Sequence, residues 1–141
     1  MRPNPDPLLE LLREEHARCT ALPRLIEQQE ALAHASQSDK ASIVAQQLVG
    51  ELDRICQIRR RRQRLQKQFA RECGMLADVS LPELLQMLPD SSRARAELFL
   101  KEGEAALRQL QDWLRREEQA LIHALAVSEK MIRSLKPESR R

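Results

Sequence analysis

Between Val44 and Cys73 the apolar residues keep one rhythm: Val44, Leu48, Leu52, Ile55, Ile58, Leu65, Phe69 and Cys73. Steps of three, four and seven put them all on one side of an α-helix, and on no single side of a strand. Two further stretches repeat the pattern. Leu8, Leu12, Cys19, Leu22, Ile26 and Ala33 form one stripe. The other runs through Leu100, Gly103, Leu107, Leu110, Leu114, Leu121, Ala124, Ser128, Met131 and Leu135, with the charged Glu117 as its clear exception. Each helix so patterned has one face to cover, and the cheapest cover is another such helix. With only 3 Gly in 141 residues and no repeat or linker, one helical domain follows.

Local signals divide the chain. Asp6 is a candidate cap and Pro7 suits the first helical position, so helix one is predicted over about 8–36. Pro23 inside it should kink or break the helix. Ser38 or Asp39 can cap helix two, over about 38–73, which Gly74 stops. Ser80 and Glu83 form a capping box for a short helix over about 81–88. Helix three follows from Asp90 or Ser91, over about 91–135, leaving a frayed tail at 136–141. The architecture expected is all-α: an elongated antiparallel three-helix bundle with coiled-coil-like packing and a short extra helix in the last crossover.

Ile58–Phe69 reads IRRRRQRLQKQF, with five arginines, one lysine and no acid. On a helix, four successive arginines cover most of the circumference, so they cannot all face one groove. The packing stripe passes straight through the run, and Arg62 falls near it. Folding the hairpin about residue 37 brings Arg59–Arg62 opposite Glu14 and Glu15, the expected partners. The neighbours of helix two are mildly acidic and the net charge is only +3. The run therefore serves the fold. With no Tyr, two Phe and one Trp, stacking on bases is nearly excluded, and no nucleic-acid partner is expected.

Three cysteines without a CxxC, and an N-terminus MRPNPDP lacking a signal-sequence core, predict reduced thiols and a cytosolic chain. No apolar run approaches the ~20 residues of a membrane span. His16 and Cys19 share a face, and the hairpin register puts Cys56 opposite Cys19. A zinc site would need a fourth ligand, so the reading is two core cysteines and a surface histidine, with no metal or cofactor. No Gly-rich phosphate loop, HExxH or Ser/His/Asp set is present, and no enzyme is expected.

Helix three exceeds helix two by roughly 13 Å at about 1.5 Å per residue. Starting level with the end of helix two, it would pass the 36–39 loop near residue 126. Met131, Ile132 and Leu135 would then project uncovered, as partner sites do.

RQRLQKQFARECGM followed by SLPELLQMLP resembles the centre of FlgN-type flagellar export chaperones, with Arg62, Leu65, Phe69, Gly74, Met75, Leu81, Leu84 and Leu85 on the family pattern. LPRLIEQQEALAHAS is similar to the end of the family's first helix, and LRREEQALIHALAVSEKMIRSL to its last. Where that pattern often has Asn, three residues before a Leu, this chain has Glu118 before Leu121. The resemblance implies a cytoplasmic, non-enzymatic chaperone that holds hook-associated (hook–filament junction) proteins for flagellar type III export and can also dock on the export gate. The residues expected to capture substrate are Leu121, Ile122, Leu125, Met131, Ile132 and Leu135, extended by Trp113 and Leu114. A monomer or weak dimer is expected. The competing reading is a structural coiled-coil or adaptor component of a secretion machine, self-associating through the same stripe.

Overall fold

The computed structural model describes residues 3–134, with side chains for 3–119, His123 and Ala126. It is all-α, with four helices and, among the described residues, no strand. Helix α1 runs Asp6–His34, α2 Ser38–Glu72, α3 Leu81–Leu85 and α4 Asp90–Ser134.

The helix ends follow local chemistry, with some substitutions of role. Pro5, not Asp6, is the N-cap of α1, and before it Asn4 Oδ1 accepts the Asp6 N–H at 3.0 Å. Asp6 is already in the first turn, where its charge complements the helix dipole. Pro23 does not break α1, which continues through it. Proline removes a backbone donor there, but Leu22 and Ile26, 0% and 3% exposed, hold both sides of it on the core.

Ser36 closes α1 in the left-handed region, at φ 57°. The Gln37 N–H then reaches the Leu32 carbonyl at 3.0 Å and the Ser36 N–H the Ala33 carbonyl at 3.2 Å, a Schellman turn. Neither Ser38 nor Asp39 caps α2, because this tight turn draws both into the helix itself. At the other end of α2, Gly74 at φ 74° makes the same turn, with the Met75 N–H on the Ala70 carbonyl at 2.8 Å. Ser80 Oγ accepts the Glu83 N–H at 3.3 Å, as the capping box predicts. Yet α3 ends at Leu85, short of 88, and three-residue turns finish the segment. Pro89 disfavours a helical Leu88 and tightens that exit.

Ion pairs give the directions. Arg18 on Glu51 and Arg62 on Glu15 run α2 antiparallel to α1. His16 on Glu102 and Glu30 on Arg116, at one common offset, run α4 parallel to α1. Helix α1 packs on both partners, whereas among the described residues no Cα of α2 lies within 8 Å of one in α4. Leu84 and Leu85 of α3, with Leu88, close the end where Leu8, Phe69 and Ala96 meet. A second cluster joins Cys19, Leu22 and Ile26 to Leu48 and Ile55 of α2, and to Leu110 and Trp113 of α4. Each fully buried leucine contributes about 1.5–3 kcal/mol.

The stripe of α4 is rotated from the sequence expectation. Ala96, Gly103, Ala106, Leu110 and Trp113 are buried. Leu100 and Leu107 are only half-buried, and Leu114 is exposed. Small residues at 96, 103 and 106 let α4 lie close on α1, which turns the larger leucines aside. Ala33 is also exposed, so the core of α1 ends at Ile26.

Candidate protein-binding surfaces

The arginine run splits. Arg62 is 7% exposed and Glu15 6%, both on the packing stripes of their helices. Arg62 Nε donates to Glu15 Oε2 at 2.6 Å, and Arg62 Nη1 donates to Gln66 at 3.1 Å. Arg59 Nε donates to the other carboxylate oxygen at 2.7 Å. Glu15 is thus the partner of both, and Glu14 is exposed to solvent. Burial pushes the Glu15 carboxyl upward, but the hydrogen bonds and charges of Arg62 and Arg59 outweigh it and hold the group below its usual range. Arg60, Arg61 and Arg64 are exposed and, among the described residues, unpaired.

The thiols do not meet. Cys19 is buried on α1, Cys56 is exposed on α2 and Cys73 is intermediate. Cys56 is therefore no core residue, because it falls outside the stripe that Ile55 occupies. Burial pushes the Cys19 thiol up to about 11. Nor is His16 a surface residue. Its ring lies 4.7 Å from that of Phe99, and Nε2 is 3.5 Å from Glu102. Among the described residues, no group of three or more His, Cys, Asp or Glu gathers as a metal site would require.

Because α2 and α4 both lie against α1 while their own backbones stay more than 8 Å apart, a groove of about 600 Å³ runs between them. Leu12, Glu15, His16 and Cys19 of α1 form its floor. Arg59, Arg62 and Gln63 stand on one wall, and Leu100, Gly103, Leu107 and Arg108 on the other. Leu81 and Pro82 close one end. Sequence reasoning missed this groove. Its signal was a charged residue, Glu15, inside an apolar stripe, opposite another, Arg62, inside a second stripe.

Of the residues expected to capture substrate, Trp113 is 8% exposed and packed in the core cluster, so its indole is committed to the fold. Leu114 is 47% exposed. The side chains of Leu121, Ile122, Leu125, Met131 and Ile132, and the whole of Leu135, lie outside the described residues. The backbone of α4 is helical to Ser134. Continuing the offset of the α1–α4 ion pairs puts His34, the last residue of α1, level with residue 120. The turn into α2 is therefore passed before the predicted residue 126, because α4 starts level with the beginning of α1.

Among the described residues no helix is long and apolar enough to cross a membrane. Comparison with known proteins finds no matching family model, no matching curated protein and no matching solved structure.

Proposed function

We propose that this chain is a cytoplasmic, non-enzymatic export chaperone of the FlgN type, which holds hook-associated proteins soluble for flagellar type III export. In this reading the long helices form an elongated antiparallel bundle with coiled-coil-like packing, and the last part of α4 is the capture surface. The observation that carries it is the length of α4, which continues to Ser134 while the register brings α1 to its end level with residue 120. A helix beyond its neighbours has a free circumference, on which an amphipathic segment of another protein buries its apolar face. The exposed Leu114 marks where that surface begins.

Calorimetric titration tests the reading, with a peptide from the C-terminal helix of the same organism's hook–filament junction proteins. Micromolar binding that Ile132→Glu and Leu125→Glu abolish, with helicity unchanged, is the expected result. No binding by the folded chain sinks it. A stable dimer in light scattering would favour the structural coiled-coil component instead.

A further inference from the structure

The rotation of α4 leaves a second apolar line beside the one it buries. Leu100, Leu107 and Leu114 stand seven residues apart, the first two half-buried and the last exposed. That is a coiled-coil seam, which a partner helix covers by inserting its side chains between these knobs. Gly103, between the first two, faces Cys19 of α1. The α4 wall of the groove runs from Phe99 to Gln111, about 18 Å at ~1.5 Å per residue, enough for three turns of a helix. Helices already form the floor and both walls, and the groove offers no strand edge to an extended chain. A fourth helix can lie along the groove between α2 and α4.

Charge narrows the occupant. Arg59, Arg62 and Arg108 line the groove against Glu15 and Glu104, and two of these guanidinium groups share the carboxylate of Glu15, so the lining carries one positive charge in excess. Arg59 spends only Nε on Glu15 and, among the described residues, its two Nη atoms have no partner. Its side chain is 42% exposed and stands on the α2 wall. Half-buried Leu52 lies seven residues before it, on the same side of α2. Leu52 packs on the core cluster, so the α2 wall of the groove offers Arg59 where a simple coiled coil would offer an apolar residue. A carboxylate on the entering helix takes the free guanidinium edge in a bidentate pair and balances the lining.

We propose that the groove between α2 and α4 seats one amphipathic helix of a partner protein, with apolar heptad side chains on Leu100, Leu107 and Leu114 and one carboxylate on Arg59. The seat shares with the chaperone reading the helical nature of the partner and, at its far end, Leu114; the rest of it lies on a different part of the chain. The acidic position sets the register of the bound helix, as single polar core positions do in coiled coils.

The probe is a synthetic helical peptide with Leu at its heptad core positions and one central Glu among them. Its control carries Gln there. Both are titrated calorimetrically into the full chain and into Arg59→Gln, Leu107→Glu and Ile132→Glu, each checked for helicity. The Glu peptide should bind at least about tenfold tighter than the Gln peptide. Arg59→Gln should erase that difference, Leu107→Glu should abolish binding of both, and Ile132→Glu should change neither. Equal affinity of the two peptides for the wild-type chain overturns the proposal. So does loss of binding in Ile132→Glu with Leu107→Glu unaffected, a result that would leave the chaperone reading standing. A dimer in light scattering that Leu107→Glu dissolves also overturns it, the occupant then being a second copy of this chain. Groove binding as described, with no binding of the junction-protein peptide, would keep this inference and sink the chaperone reading.

Discussion

Glu15 and Arg62 face each other from antiparallel helices, carboxylate to Nε at 2.6 Å, each side chain less than a tenth exposed. A buried pair contributes little net stability against an apolar replacement, but removing one partner strands the other. Glu15→Ala leaves a buried guanidinium and should cost about 3–5 kcal/mol. Arg59→Ala removes a half-exposed contributor to the same carboxylate and should cost below about 1 kcal/mol. Urea denaturation of the two variants beside wild type checks this. Similar losses for both would contradict the geometry.

The pH dependence has a definite sign. The arginines hold the Glu15 carboxyl below its ordinary range, so the unfolded chain takes up this proton first as pH falls. The stabilisation is complete above the ordinary glutamate pKa of about 4.3 and fades as pH drops through the lower folded value. Denaturation midpoints should therefore decline below pH ~4.3. In Glu15→Gln that part of the decline should be missing. An equally steep decline in the variant would rule Glu15 out as its source.

The three thiols should react in order of exposure. Cys56 is exposed and should modify first under native conditions. Cys73, only partly exposed and with its thiol raised by burial and by Glu72, should follow. Cys19, buried and pushed up to about 11, should wait for unfolding. Timed alkylation with peptide mapping reads the sequence of events, and early labelling of Cys19 would mean that α4 parts readily from α1.

Ser36 and Gly74 occupy equivalent turns, both at positive φ. Glycine has no steric penalty there, whereas serine does. Ser36→Gly should stabilise the chain by about 0.5–1 kcal/mol, and Gly74→Ala should destabilise it by a similar amount. Thermal melts of the two variants should move in opposite directions. A shift of the same sign in both would deny the equivalence.

Much of the fold was legible because its signals are local and repeated. The stripes of α1 and α2, the Gly74 stop and the Ser80 cap all appear where spacing alone puts them. Pro23 left a kink or a break open, and α1 runs on unbroken because tertiary packing on Leu22 and Ile26 outweighs one lost backbone bond. Ser36 was unreadable because a serine rarely adopts the left-handed conformation. The rotation of α4 was missed for a subtler reason. The stripe held Gly103 and Leu110 correctly, but counting large apolar residues also favoured Leu100, Leu107 and Leu114, while close approach of two helices favours Ala96 and Ala106. The Glu15–Arg62 contact was nearly read, since folding the hairpin named both residues. The groove beside it was not, since it depends on how far apart the backbones of two helices stand.

That separation has a consequence for how the parts communicate. Among the described residues no Cα of α2 lies within 8 Å of one in α4, so whatever happens at α4 reaches α2 through the shared core and the side chains of α1. Helix α1 is the single keel to which both outer helices are fastened, one by each flank. Loosening α4 would strip one flank of α1 and uncover the shared core, while the α1–α2 hairpin would keep its own ion pairs.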